Sequence, residues 1–206
     1  IVNSCAVTSE AVRQARQTVR RLARADPGRP VIVTGCAAQI DPAAFAAMPE
    51  TSRVLGNAEK LRPESWAALA RSNSLLGGDG ASPDDKIAVG DIMAEAQLAP
   101  SLQERAQNRT RGFVQVQNGC DHRCTFCVIP FGRGRSRSLT PDAVLRQCRQ
   151  LVADGVREIV LTGVDLTSYG HDLSDRPMLG TLVKAILRHL PELPRLRLSS
   201  IDAVEV

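Results

Sequence analysis

The run Gly119-Cys120-Asp121-His122-Arg123-Cys124-Thr125-Phe126-Cys127 sets three cysteines at CxxxCxxC spacing beside a glycine. It directly follows a stretch, Arg111 to Gln117, in which apolar and polar residues alternate as in a strand. The fold must therefore deliver a three-thiol loop from the end of a strand. That spacing suits three corners of a cubane iron-sulfur cluster. A 4Fe–4S cluster normally takes four thiolates, so three close cysteines leave one iron open to a small molecule. Zinc sites are the competing use of such thiols, but they usually show paired CxxC or Cys/His units. His122 lies between two of the cysteines, where one short loop would have to wrap a metal very tightly.

Upstream, Ile1 to Cys5 reads as a strand end and turn. Residues 9–25 read as a helix with Ser9 as its N-cap and Val12, Ala15, Val19, Leu22 and Ala23 on one face. Asp26-Pro27-Gly28 ends it, and Val31-Ile32-Val33 is a short buried strand leading to Gly35-Cys36. Strand, helix, strand implies parallel pairing with a right-handed crossover. Cys5 and Cys36 then share the carboxyl edge of one sheet, where sites are built. A lone cysteine is usually an inert buried residue, but two at equivalent positions after successive strands point to ligation, as an incomplete set of three. Further on, residues 42–48 form a short helix, 53–55 a strand and 63–71 a helix containing Trp66.

From Ser72 onward Gly77-Gly78-Asp79-Gly80 and Ser82-Pro83-Asp84-Asp85 mark a polar linker. The expected domains are 1–71, a linker over 72–104, and 105–206. In the last of these, Pro141 suits the first turn of a helix running to about Ala153, with Cys148 as a core thiol on its buried face. Residues 158–162 form a strand, 178–190 a helix and 195–200 a third strand. A chemical motif on the first strand-to-helix loop of such a series is the opening of a TIM-type barrel, with a small open doubly wound sheet as the alternative.

Composition bounds the remainder. The chain is 43% hydrophobic and 23% charged with a net charge of +4, which permits nucleic-acid contact without arguing for it. Aromatics are only 3%, so stacking of bases on aromatic side chains is not a widespread binding device here. No apolar run reaches the length of a membrane span and no signal peptide is evident, so a cytosolic, reducing compartment is expected, where six cysteines serve metals rather than disulfides. The start at Ile1, inside a strand, reads as that of a fragment.

Two spaced cysteines in a small α/β domain followed by a CxxxCxxC loop opening a barrel resemble the methylthiotransferases of the radical S-adenosylmethionine class. The resemblance is carried by residues 3–8 (NSCAVT), 34–39 (TGCAAQ), 56–60 (GNAEK), 117–138 and 161–170 (LTGVDLTSYG), nearly the whole chain. The run from Ile129 to Ser138 is most similar to the branch acting on N6-threonylcarbamoyladenosine at position 37 of tRNA. The rival branches act on isopentenyladenosine or on a ribosomal-protein aspartate.

The resemblance implies an α/β fold, a flavodoxin-like N-terminal domain followed by the first part of a radical-SAM TIM-type barrel. It implies two 4Fe–4S clusters and S-adenosyl-L-methionine as cofactors. Cys120, Cys124 and Cys127 would hold the cluster that reduces S-adenosylmethionine to a 5′-deoxyadenosyl radical, which takes hydrogen from C2 of the modified adenine. Cys5, Cys36 and an upstream cysteine would hold the second cluster, the carrier of the sulfur that is methylated and transferred. Phe126, just before the third cysteine, fits the same pattern.

Among cofactor contacts, Gly119 would let the backbone turn around the cluster and Gly163 would leave room for S-adenosylmethionine. Asp165 would accept a hydrogen bond from it or cap a turn, and Ser199 and Ser200 would face a ribose. Arg133, Arg135 and Arg137, alternating along an extended segment, would point one way towards substrate phosphate or carboxylate, or else form structural ion pairs on a solvated loop. Expected partners are tRNA, a reductase or a flavodoxin or ferredoxin electron donor, and a sulfur source, with no membrane and a monomeric state. The family's usual C-terminal RNA-binding domain is not in this sequence. A noncatalytic electron-transfer module and a zinc-structured RNA-binding protein are the rivals of different class.

Overall fold

The computed structural model describes residues 1–71, 82–99 and 110–202. The chain forms two compact units, one of Ile1–Glu95 with His122–Gly134 and one of Ala96–Asp121 with Arg135–Val206. Each is an α/β unit built on parallel strands.

In the first unit, β1 (Val2–Ser4), β2 (Ile32–Gly35), β3 (Arg53–Leu55) and β4 (Ile87–Ala88) lie in that order, every pair parallel. Helix α1 (Ser9–Ala25) buries Ala15 and Val19 on the core of Val2, Val31, Val33, Phe45 and Val54. Its cap is Thr8 rather than Ser9: the Thr8 hydroxyl accepts the Ala11 N–H at 3.1 Å, and Ser9 is already helical. The helix expected over 42–48 is α3 (Pro42–Ala46), capped by Asp41. Helix α4 spans Pro63–Arg71.

Two elements within the Ile1–Glu95 part of this unit, one α-helix and one strand, are new relative to the sequence expectation. Helix α2 (Cys36–Ile40) begins directly after β2, where Gly35 at φ 98 turns the chain. A Cβ at Gly35 would stand 2.2 Å from the Ser4 carbonyl oxygen, so glycine is required there. Strand β4 lies inside the stretch assigned to the linker. Ile87 and Ala88 pair with Val54 and Leu55, and Ile92 is buried, because those brief apolar interruptions meet an open strand edge. Residues 72–81 and 100–104 of that stretch lie outside the described residues.

The second unit carries a parallel sheet ordered β5 (Arg111–Gln115), β8 (Glu158–Thr162), β9 (Arg195–Leu198). Helices α6 (Pro141–Ala153) and α7 (Leu179–His189) pack on it around Val114, Val144, Leu151, Ile159, Leu161, Leu182 and Ile186. This is the strand-helix alternation of an opening (β/α) barrel. The strand expected to run on to Gln117 is interrupted at Val116, whose N–H bonds Thr162 and whose carbonyl accepts from Leu139. Beyond it, β6 (Gln117–Asn118) pairs antiparallel with β7 (Arg137–Ser138). Cys148 is fully buried in this core and burial pushes its thiol up to about 12, so it remains a protonated packing residue.

At the amino ends of β5, β8 and β9, Glu158 meets Arg111 at 2.7 Å, Arg195 at 3.1 Å and Arg197 at 3.5 Å. Burial pushes the Glu158 carboxyl up, but the Arg195 and Arg111 hydrogen bonds and the charges of Arg111 and Arg197 bring it below its ordinary value. A cavity of about 520 Å³ lies beside this cluster, at the edge opposite the strand ends that lead to the cysteine loop. No helix among the described residues is long and apolar enough to cross a membrane.

Candidate functional site

The register Ser4↔Gly35 puts Cys5 and Cys36 next in line at the carboxyl ends of adjacent parallel strands. Cys5 is exposed, its sulfur accepting the Val7 N–H at 3.5 Å. Cys36 is half-buried and sits among donors. Arg133 Nε reaches its sulfur at 3.1 Å and Asn57 Nδ2 at 3.7 Å. Asn57 is itself held twice, its backbone N–H by Gln39 Oε1 at 2.8 Å and its amide nitrogen by the Gly132 carbonyl at 2.6 Å. Lys60 is half-buried nearby with Nζ 3.4 Å from Asn3 Oδ1. Burial and then the Arg133 charge lower the Lys60 ammonium from its usual value, while Cys36 opposes them.

The element that brings Arg133 here is α5 (Ile129–Arg133), a short helix beginning two residues after Cys127. It belongs to the same compact unit as Cys36. A Cβ on Gly132 would come within 2.8 Å of Cys36 Cβ and 3.3 Å of its sulfur, so the glycine is what permits this approach.

In the second unit the entry to the cysteine loop is fixed by Gln117, which is fully buried. Its Nε2 donates to the Gly119 carbonyl at 2.8 Å and to Ser136 Oγ at 2.9 Å. Its Oε1 accepts the N–H groups of Val164 and Asp165, both at 2.9 Å. One side chain therefore satisfies all its polar capacity and ties the turn at Gly119, where φ is 79, to the loop after β8. Within the cysteine loop the Cys127 N–H bonds the Cys124 carbonyl at 3.0 Å. Cys124 is exposed, and Cys120 and Cys127 are half-buried. Phe126 is 88% exposed.

The donor set fits an iron-sulfur cluster. Cys5, Cys36, Cys120, Cys124 and Cys127 are all outside disulfides and at least partly open to solvent, on strand ends and a loop rather than in a core. Soft sulfur donors presented in this way suit iron-sulfur clusters. Only Cys148 is buried.

The other expected contacts divide. Gly163 is packed closely, since a Cβ there would meet Gln117 Oε1 at 2.8 Å and Leu166 Cδ2 at 2.9 Å. Asp165 stands at the N-cap position of the turn Leu166–Ser168, where its carboxylate accepts no capping backbone N–H but the hydroxyls of Thr167 at 2.9 Å and Ser168 at 2.7 Å. Ser199 is half-buried, its N–H held by Leu161, and Ser200 is exposed.

The three arginines do not share one extended segment. Arg133 ends α5, Gly134 turns the chain at φ 78, and only Arg137 lies in a strand. Arg135 is exposed, whereas Arg137 is buried with its Nε 3.3 Å from the Arg135 carbonyl. A left-handed glycine in the middle of the run breaks the two-residue periodicity on which a common direction depended. Gln117, Asn57 and Arg133's sulfur contact had no signal in hydrophobic pattern. Asn57 and Gln117 lie within the stretches that carry the family resemblance, which was their one trace.

Residues 114–202 match the Radical SAM superfamily and residues 1–56 match the uncharacterized protein family UPF0004. Over its full length the chain is 43% identical to threonylcarbamoyladenosine tRNA methylthiotransferase MtaB of Rickettsia prowazekii, covering 46% of that protein. It is 34% identical to the MtaB of Bacillus subtilis, covering 44% of it. Over 91% of the chain it is 31% identical to ribosomal protein uS12 methylthiotransferase RimO of Myxococcus xanthus, covering 38% of that protein. The chain thus spans less than half the length of these curated relatives. Among solved structures, the radical S-adenosylmethionine methyltransferase TsrM from Kitasatospora setae, with tryptophan substrate and a SAM analog bound, aligns at a TM-score of 0.54 and 18% identity. The alignment covers 95% of this chain and 42% of that one, a likeness of fold.

Proposed function

We propose that this chain, with its Radical SAM match over residues 114–202 and its UPF0004 match over residues 1–56, belongs to the radical S-adenosylmethionine methylthiotransferases and carries the cluster-binding machinery of an enzyme that methylthiolates C2 of N6-threonylcarbamoyladenosine at position 37 of tRNA. The observation that carries the choice of substrate is the 43% overall identity to an MtaB across the full length of the chain, against 31% to a RimO over 91% of it. When bound, the two clusters and S-adenosylmethionine supply the radical and the sulfur, as is usual where a cofactor carries the hard chemistry.

The residues of the chain hold and orient. Cys120, Cys124 and Cys127 would ligate one 4Fe–4S cluster, and Cys5 and Cys36, with a further ligand, the other. Gln117 keeps Gly119, at the entry to the cysteine loop, and the loop at Gly163 to Asp165 in fixed relation. Asp165 holds the hydroxyls of Thr167 and Ser168 in the turn that follows. Ser199, Ser200 and Gly163 stand at the carboxyl ends of the strands, where a barrel places its ligands. Of the arginines, Arg135 is the exposed one and is assigned to substrate phosphate or carboxylate. tRNA, an electron donor and a sulfur source complete the system.

The test is nucleoside analysis of tRNA from a strain lacking the full-length parent, complemented with wild type or with Cys120→Ala. Methylthio-threonylcarbamoyladenosine should vanish in the deletion and return only with wild type. Loss of methylthio-isopentenyladenosine with the threonylcarbamoyl product retained would refute the assignment.

A further inference from the structure

Arg133 was assigned to substrate on sequence, yet its guanidinium lies 3.1 Å from a thiol sulfur. Asn57 and Gly132 hold that contact in place. Asn57 donates to the Gly132 carbonyl at 2.6 Å, which also fixes its amide orientation, because only the NH₂ group can donate. The same nitrogen lies 3.7 Å from the Cys36 sulfur. Gly132 stands so close to Cys36 that a methyl group would not fit between them. The segment after Cys127 is thereby clamped onto Cys36, with one charged and one neutral donor aimed at its sulfur.

We propose that Arg133 and Asn57 are positioning residues that hydrogen-bond the Cys36 sulfur when it ligates iron, and so favour the reduced form of that cluster. The inference rests on the reading of Cys5 and Cys36 as ligands. Reduction places added negative charge on the iron-sulfur core and its thiolates. A donor to a ligating sulfur therefore stabilises the reduced state more than the oxidised one and raises the potential. Asn57 adds a weaker, neutral share.

The experiment uses the full-length protein carrying Cys120→Ala, Cys124→Ala and Cys127→Ala, so that only the Cys36 cluster remains. The protein is reconstituted anaerobically and titrated with dithionite while the reduced cluster is followed by electron paramagnetic resonance. About four irons should remain, as one cubane requires. Arg133→Gln should lower the reduced-to-oxidised ratio at fixed potential about tenfold, ~59 mV for a one-electron couple. Arg133→Lys should fall between, and Asn57→Leu should shift the same way by less. Arg149→Gln, exposed on α6, should not move it. If Arg133→Gln loses its iron and Arg133→Lys restores it, the sulfur contact is equally supported. Four irons with a potential unmoved by both Arg133→Gln and Asn57→Leu would overturn the inference. No iron at all in the triple-alanine protein would instead overturn the reading of Cys5 and Cys36 as ligands.

Discussion

Replacing Gln117 by leucine tests whether the two loops of the second unit are one construction. The side chain is fully buried and makes four hydrogen bonds, two donated and two accepted. Leucine fills nearly the same volume, so the loss is polar rather than a cavity. Each intramolecular hydrogen bond is worth about 0.5–1.5 kcal/mol net, and an unsatisfied buried group costs about 1–3 kcal/mol. Ser136 can rotate to a new partner. The half-buried Val164 and Asp165 amides can take water in part, leaving the Gly119 carbonyl with most of the penalty. The sum is about 3 kcal/mol, a large part of a typical domain stability of ~5–15 kcal/mol. Gln117→Glu keeps both accepted N–H bonds but sets a second oxygen against the Gly119 carbonyl and buries a carboxyl, so it should be destabilised at least as much as the leucine variant. Urea titration with an unchanged slope measures both. Iron bound by the Cys120, Cys124 and Cys127 loop should fall in the same order in the reconstituted full-length protein. A leucine variant within about 0.5 kcal/mol of wild type that retains its iron would refute the argument, since the bonds would then be incidental to the loops.

Two further perturbations follow from geometry described above. Gly35→Ala should destabilise by at least about 2 kcal/mol in the same titration, because φ 98 strains any side chain and the new Cβ meets the Ser4 carbonyl at 2.2 Å; a neutral effect would show that β1 and α2 can separate freely. Glu158 has a carboxyl held below its ordinary value by Arg195, Arg111 and Arg197 against the opposing effect of burial. Its contribution is therefore present above the usual carboxylate range and is lost as pH falls through the folded value. Glu158→Gln should lower the urea midpoint at pH 7 and leave a smaller difference from wild type near pH 3; an equal difference at both would show that the ion cluster does not couple to folding.

The longer elements were legible because their signals are local. Helices α1, α4 and α6 carry apolar residues at helical spacing or a proline in the first turn, and they lie where those signals put them. Helices α2 and α5 are five residues each, too short to show a period. Strand β4 is two apolar residues in a polar run, and only the open edge of β3 makes a strand of them. The cysteines could be read from spacing alone. Their surroundings could not, because Asn57 is 21 and Arg133 97 residues from Cys36, and nothing in either neighbourhood encodes the meeting. The arginine run misleads for a related reason: alternation implies a common direction only along an extended backbone, and Gly134 breaks it.

The tie between Arg133 and Cys36 also sets an order of events during synthesis. A ribosome adding about 5–20 residues per second takes roughly 5–20 s to lay down the 97 residues between them. Throughout that interval the nascent strand end presents Cys36 without its charged neighbour and without the helix that covers it. The surroundings of this thiol are thus finished only by a segment made 97 residues later. A cluster inserted at Cys36 before then would meet a wetter and less positive pocket than the finished protein offers.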